Sequence, residues 1–184
     1  MHLFDAPLAL TPQEFELTVK EILDGSGAFL QSYESKHLER LSGVDGEYVI
    51  DVTARFSALG ADYLVLVECK HQQRKVERQD VQILRDKVGA LSAHKGMLFS
   101  TAGFQKGALE YGDKHKIALV QIARGETTWF TRDAGPKKPA PASACIPKYV
   151  GWWHDRGSWS VLSKTKGEYT REALDIQLSG KAPD

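Results

Sequence analysis

Apolar side chains recur at helical spacing in three segments of the chain. The first segment follows Thr11-Pro12, a hydroxyl cap with a proline in the first turn, and predicts an amphipathic helix over residues 12–24. A second helix, with basic residues between its apolar positions, is predicted over residues 76–93. A third helical face spans residues 104–111. Because each helix has one apolar side, each must pack against another element.

Between the first two predicted helices the apolar period changes to two, as is typical of strands. Residues 48–54 alternate, and a β-rich run at residues 63–67 follows a turn signal at Leu59-Gly60. These two segments predict an antiparallel hairpin. Shorter strands are predicted at residues 29–33, 97–99 and 117–122.

The predicted elements follow the order α-β-β-β-α-β-α-β. This order indicates an α/β fold with a mixed sheet flanked by helices. Its strand-helix-strand portion is expected to form a parallel crossover.

The composition of the chain changes at residue 133. Four of the seven prolines fall in the next fifteen residues, which predicts an extended Pro/Ala-rich linker over residues 133–147. The linker would separate a domain at residues 1–132 from a short Trp-rich C-terminal extension at residues 148–184. Clustered tryptophans fill a core or a dimer interface more often than they stack on bases.

The 184 residues, 42% hydrophobic and 26% charged, have the composition of a soluble globular domain. No stretch approaches the roughly 18 apolar residues of a membrane span, and no signal peptide is evident, so a cytoplasmic protein without a membrane partner is expected. Cys69 and Cys145 match neither a disulfide framework nor a zinc pattern.

Charge is segregated along the chain although Lys+Arg and Asp+Glu both number 24. Residues 1–50 hold three basic and nine acidic side chains, whereas residues 69–95 hold seven basic and three acidic ones. Part of the surface could therefore meet phosphates, although a charge run is as often a solvated helix face.

The most informative residues for chemistry are Asp51 on one predicted strand and Glu68 and Lys70 on the next. If the hairpin turns at residues 59 and 60, opposed residues have numbers that sum to about 119, and Asp51 then faces Glu68. Glu68 and Lys70 share one face of the strand, and Cys69 points to the other.

Two adjacent carboxylates repel each other and lose hydration unless a cation lies between them. Mg²⁺ prefers carboxylate and carbonyl oxygens, which makes Asp51, Glu68 and the backbone carbonyl of Cys69 candidate metal ligands. Lys70 could then polarise a water for attack on a phosphodiester. The competing interpretation is a surface ion pair contributing roughly 0–1 kcal/mol.

In four segments the sequence resembles the catalytic domain of Mrr-type restriction endonucleases, which belong to the PD-(D/E)xK nuclease superfamily. The segments are Gly43–Val52, Val67–Lys70, Ser100–Phe104 and Ile117–Val120. The resemblance extends from about residue 11 to residue 123 and includes Phe15-Glu16 in the first predicted helix.

This resemblance implies a restriction-endonuclease-like fold and a Mg²⁺-dependent DNA endonuclease of the Mrr or type IV restriction kind, with Mn²⁺ as a substitute ion. DNA is the implied partner, and a homodimer is compatible with this activity because one site cuts one strand. The C-terminal extension is too short for the winged-helix target-recognition module of some relatives.

By the same resemblance, Asp51 and Glu68 would be metal ligands and Lys70 the catalytic lysine. Glu16 would be a further acidic contributor. Gln82 occupies the position of a polar active-site residue in many relatives, although Gln79 competes for that role.

The basic residues that follow the motif are candidate phosphate contacts, which would position DNA without reading its sequence. They are His71, Arg74, Lys75 and Arg78. For any one of them, an ordinary salt bridge on a solvated helix is an equally good interpretation.

Three alternatives remain open at the level of sequence. The first is a catalytically silent DNA-binding or interaction module that keeps the nuclease fold. The second is a hydrolase with Cys69 as nucleophile beside His71, for which no third orienting group is evident. The third, a metal site of His94, His115 and His154, has no supporting spacing.

Overall fold

A computed structural model describes residues 8–124, 147–155 and 158–163 of the chain. The helices are α1 (Pro12–Gly27), α2 (Arg78–Ala90) and α3 (Lys106–His115). The strands are β1 (Gln31–Ser42), β2 (Glu47–Ala58), β3 (Ala61–Lys70), β4 (Lys95–Ser100), β5 (Ala118–Arg124), β6 (Tyr149–Asp155) and β7 (Ser158–Leu162). Among the helices of these ranges, none is both long and apolar enough to cross a bilayer.

Within the described residues, one seven-stranded sheet contains the strands in chain order. The pairs β3–β4 and β4–β5 are parallel and the other pairs are antiparallel. The sheet is therefore mixed, and the predicted order of the first eight elements and the parallel crossovers are confirmed. The edges of the sheet are β1 and β7.

Helix α1 begins where the sequence predicts. The Thr11 side chain accepts a hydrogen bond from the Glu14 backbone N–H, and the Glu14 carboxylate accepts one from the Thr11 N–H. This capping box satisfies two backbone donors that the first helical turn leaves free. The helix continues three residues beyond the predicted end, to Gly27.

Two apolar layers pack on opposite faces of the sheet. On one face α1 packs against the sheet through Phe15 and Val19, which contact a cluster that includes Val65 and Val67 of β3. On the other face α2 and α3 pack on a cluster that includes Leu66. Neighbouring residues of β3 thus pack in different layers, because side chains alternate between the two faces of a strand.

The β2–β3 hairpin has the register that the sequence predicts. Its pairs extend from Val52–Val67 to Ala58–Ala61, and each pair of numbers sums to 119. Leu59 and Gly60 both have positive φ, 54° and 79°, as the two central residues of a type I′ hairpin turn require.

Strand β1 corrects the prediction of a short strand at residues 29–33. It has twelve residues and pairs with β2 along most of its length. Most of its side chains are polar, and on one face they bond to α1: Ser35 donates to Asp24, for example. The strand therefore lacks the apolar alternation on which its prediction would depend.

The C-terminal residues add two strands to the same sheet. Strand β6 pairs with β5, and β7 pairs with β6. Trp153 packs against the apolar layer beneath α1, whereas Trp159 is 40% exposed. Apart from Pro147, the predicted linker at 133–147 lies outside the described residues, as does Cys145.

Candidate active site

The alternation of β2 side chains between the two faces of the sheet is interrupted at Asp51. Ile50 packs in the layer under α2 and α3, and Val52, two positions later, packs in the layer under α1. In a regular strand these two side chains would point to the same face. The neighbouring strand has a matching irregularity, because Leu38 has φ of +52° and the β1–β2 pairing omits the position between Glu39–Ile50 and His37–Val52. Asp51 therefore lies where the chain passes from one face of the sheet to the other.

The Asp51 carboxylate joins β2 to β3, which contains Glu68 and Lys70 and is called the ExK strand below. Its Oδ2 accepts a hydrogen bond from the backbone N–H of Cys69 at 2.7 Å. The backbone pairing of the hairpin stops at Val52–Val67, so this bond continues the link between the strands. The carboxylate is thereby fixed next to the backbone of the predicted metal-ligand segment.

Burial raises the pKa of Asp51 to about 6. The Cys69 N–H bond opposes this rise, the negative charges of Glu68 and Glu16 add to it, and the positive charge of Lys87 opposes it. Carboxylates thus approach Asp51 both from the helix α1 and from β3. Such a group binds a proton more readily than an isolated aspartate does.

Glu68 and Lys70 face α2, as the alternation of β3 predicts. Lys87 Nζ lies 2.6 Å from Glu68 Oε1, and Lys70 Nζ lies 3.7 Å from Asp80 Oδ1. Both lysines are therefore paired with a carboxylate across the β3–α2 contact.

Glu16 reaches the site from α1. Its Oε2 lies 2.7 Å from Nε2 of His37 on β1, and both side chains are mostly buried. The charge of Glu16 also acts on Asp51 and on the Cys69 thiol. The structure thus brings this acidic residue of the first helix to the same region as Asp51.

The Cys69 side chain points to the α1 face, opposite Glu68 and Lys70, and packs against the apolar layer there. Burial raises the pKa of the Cys69 thiol well above its usual value, and the charges of Asp51, Glu16 and Glu68 raise it further. Because the thiolate is the nucleophilic form, these surroundings disfavour Cys69 as a nucleophile. The role of the Cys69 carbonyl as a metal ligand stays a prediction.

The backbone after Lys70 is held by the turn that follows β4. The Thr101 N–H donates to the Lys70 carbonyl, and the Thr101 hydroxyl accepts from the Gln72 N–H. Further along, the Val76 N–H donates to the Gly103 carbonyl. The segment between β3 and α2 therefore has a defined path beside the site.

The four predicted phosphate contacts lie on this segment and on the first turn of α2, and all are exposed. The His71 ring is 5.9 Å from the Phe15 ring, Arg74 pairs with Glu77 at 2.7 Å, and the Arg78 guanidinium is 5.0 Å from the centre of the Tyr111 ring. Lys75 is exposed between them. The structure thus leaves these side chains accessible, and their contact with DNA stays a prediction.

Gln82 lies two positions after Asp80 on α2, which places the two residues about 160° apart around the helix. Gln82 is half-buried, and its competitor Gln79 is exposed. Gln82 thus lies on a different side of α2 from Asp80, and its active-site role stays a prediction.

The donor set for a metal ion at this site is small. Among the residues that the structure describes, no group of three His, Cys, Asp or Glu side chains is arranged to hold an ion, which also leaves His94, His115 and His154 without a common site. Mg²⁺ commonly uses only one or two carboxylates and keeps several waters. The crowding of Asp51 by Glu68 and Glu16 is the kind of negative site that a hard cation fits.

Sequence analysis predicts no contact with the site carboxylates or Lys70 for three residues of this region: Lys87, Asp80 and His37. All three are polar residues whose partners lie far away in the sequence. The signal available for Lys87 and Asp80 is their spacing of seven, two helical turns, which places both on the side of α2 that meets the ExK strand.

A family model of known proteins matches most of this chain. The restriction endonuclease family Mrr_cat matches residues 7–124, which include both carboxylates and the lysine. No curated protein matches the sequence significantly.

Two solved structures are similar to this chain. A protein of unknown function, AF1548, has a TM-score of 0.48 and 16% identity, with 58% of this chain and 55% of that chain covered. The MspJI restriction endonuclease in complex with a 27-mer oligonucleotide has a TM-score of 0.40 and 21% identity, with 59% and 25% covered. The chain thus spans about half of the first protein and a quarter of the second. On the family match over residues 7–124, the chain belongs to the Mrr_cat family of restriction endonuclease domains.

Proposed function

We propose that this protein is a divalent-metal-dependent DNA endonuclease that hydrolyses phosphodiester bonds in the manner of Mrr or type IV restriction enzymes. Mg²⁺ is the proposed ion, with Mn²⁺ as a substitute. Membership of the restriction endonuclease family supports DNA as the proposed substrate class.

The observation that carries this proposal is the bond from the Cys69 N–H to Asp51 Oδ2. It fixes the aspartate of one strand against the segment that contains Glu68 and Lys70. An ordinary surface ion pair does not explain why a partly buried aspartate, with its pKa raised to about 6, lies among other carboxylates. Metal binding explains it, because a cation would stabilise the deprotonated form.

In this proposal Asp51 and Glu68, with the Cys69 carbonyl, hold the ion. When bound, a divalent ion lowers the pKa of a coordinated water and neutralises charge on the phosphate. Lys70 orients the attacking water and stabilises negative charge that develops on the phosphate oxygens. Glu16, held by His37, adds a carboxylate on the α1 side.

The exposed residues His71, Arg74, Lys75 and Arg78 are proposed to contact phosphates next to the site. Such contacts position a duplex but do not select its bases. Binding through them would weaken as salt concentration rises.

The test is cleavage of supercoiled plasmid DNA by the purified chain in Mg²⁺ or Mn²⁺, with and without EDTA. We expect cleavage by the wild type to stop with EDTA and to fall by at least about a hundredfold in Lys70→Ala, while DNA binding is retained. Lys106→Ala is the matched control, because the Lys106 side chain is 90% exposed on α3.

If DNA binds but no metal ion supports cleavage, the chain is a silent nuclease-fold module instead. The cysteine alternative predicts a different pattern, in which Cys69→Ala abolishes hydrolysis and EDTA does not. Retained cleavage in Cys69→Ala would eliminate it.

A further inference from the structure

Lys87 is the cation that the structure places directly against Glu68. Its Nζ lies 2.6 Å from Oε1, and the two side chains are only 21% and 12% exposed. The contact joins α2 to β3 across 19 positions of sequence. None of the family resemblance, the composition or the charge pattern assigns a role to this lysine.

The positive charge of Lys87 offsets the negative charge of the site. Three carboxylates, those of Asp51, Glu68 and Glu16, act on the same region. Lys87 also acts on Asp51, where its positive charge lowers the pKa. Lys70 does not take this role in the structure, because its ammonium faces Asp80.

The same contact places Lys87 in competition with a metal ion. A carboxylate oxygen that accepts a short bond from an ammonium has to give up or share that bond when it ligates a cation. A metal ion at Glu68 would therefore have to overcome the lysine as well as lose its own hydration shell.

We propose that Lys87 is the built-in counter-cation of this site: it stabilises the carboxylate group without metal and lowers the affinity of Glu68 for a divalent ion. Lys87 is a positioning residue, since it acts on the metal through Glu68. The inference rests on the proposed function, since it requires that Asp51 and Glu68 bind the ion.

The test compares the full chain with Lys87→Met, Lys87→Arg and Arg85→Met. Methionine keeps most of the aliphatic stem and removes the charge, and arginine keeps the charge. Arg85 lies two positions away, about 160° around α2, where it pairs with exposed Asp86. Arg85→Met therefore removes the same charge from the same helix without touching Glu68.

Two measurements are made without DNA. Mn²⁺ binding is followed by electron paramagnetic resonance of the free ion, and urea unfolding is followed in EDTA. We expect Lys87→Met to bind Mn²⁺ about tenfold more tightly than the wild type and to unfold at lower urea in EDTA. Lys87→Arg should remain within about threefold of the wild type in Mn²⁺ affinity, and Arg85→Met should match the wild type in both measurements.

Equal or weaker Mn²⁺ binding by Lys87→Met would overturn the inference, as would an equal gain in Arg85→Met. If Lys87→Met does not fold, loss of Mn²⁺ affinity in Lys87→Arg relative to the wild type would overturn it, and retained affinity would support it. Absence of Mn²⁺ binding in every variant would overturn the inference and the proposed metal site together. Tighter binding in Lys87→Met without plasmid cleavage by the wild type would support the inference and remove only the proposed endonuclease activity.

Discussion

Replacing Asp51 with asparagine is expected to stabilise the metal-free protein at neutral pH. The carboxylate costs folding free energy because it is partly buried near Glu68 and Glu16, and asparagine removes the charge. The asparagine carbonyl can still accept the hydrogen bond from the Cys69 N–H, so the strand contact is retained. The substitution thus separates the charge of residue 51 from its structural bond.

The size of the effect follows from the rise in pKa of Asp51 from 3.8 to about 6. One pKa unit corresponds to about 1.4 kcal/mol, so the full shift would correspond to about 3 kcal/mol. Because the site is partly open to solvent, which screens the charges, we expect a gain of about 1–2 kcal/mol. For a chain of this length that gain is a rise in Tm of about 2–8 °C.

The gain should depend on pH in one direction. Below about pH 4 the Asp51 carboxyl is protonated in both the folded and the unfolded state, so the wild type carries no charge penalty. As pH rises from about 4 to about 6, the unfolded state loses this proton first and the wild type loses stability relative to Asp51→Asn. Above about pH 6 the difference should stay constant.

The assay is urea unfolding in EDTA, followed by tryptophan fluorescence at pH values between 4 and 8. Asp86→Asn is the control, because it removes one negative charge from a side chain that is 73% exposed. A difference between Asp51→Asn and wild type that is independent of pH, or that shrinks as pH rises, would contradict the charge penalty assigned to Asp51.

Two more predictions concern the fold and use the same unfolding assay. Gly103→Ala should lower the free energy of unfolding by about 1–3 kcal/mol, because Gly103 has φ of +76° and an added Cβ would lie 2.6 Å from Gln121 Oε1. Gly89→Ala, in α2 with open space around it, should instead gain up to about 1 kcal/mol, and a loss equal to that of Gly103→Ala would contradict this account. Phe15→Ala should lower the free energy of unfolding by about 3–5 kcal/mol, since the Phe15 side chain of α1 is fully buried. Leu17→Ala, at a 41% exposed position of the same helix, should lose less than about 1 kcal/mol, and similar losses at both positions would show that α1 does not pack through Phe15.

Local signals predicted the parts of the fold that depend on neighbours in sequence. The start of α1 follows from Thr11 and Pro12, and the hairpin register follows from a turn at Leu59 and Gly60. That register places Asp51 next to the ExK strand by residue numbering alone. The closeness of Asp51 to the strand that contains Glu68 and Lys70 could therefore be predicted from simple strand geometry.

The parts that could not be predicted depend on contacts between distant segments. Strand β1 is an edge strand rich in polar residues. Its side chains hydrogen-bond to α1, and polar contacts of this kind leave no apolar alternation in the sequence. The pairing of β6 with β5 spans the segment outside the described residues, and strand pairing at that separation has no local signal. The contact of Lys87 with Glu68 depends on how α2 docks on the sheet.

The break in alternation at Asp51 was also beyond reach, because a regular strand places Ile50 and Val52 on one face. The structure places them in different layers, with positive φ at Leu38 on the adjacent strand. A rule that holds along most of β2 thus fails at Asp51, whose pKa is raised to about 6. Such failures are expected where a protein gives up local regularity for a site.

At this crossing point the position of the Asp51 carboxylate depends on both apolar layers of the sheet. One is the packing beneath α1, and the other is the packing beneath α2 and α3. Warming or a cavity that loosens either layer would tilt the carboxylate while the opposite layer still held the sheet together. The proposed ion binding at Asp51 should therefore fail at a lower temperature than the global unfolding of the chain.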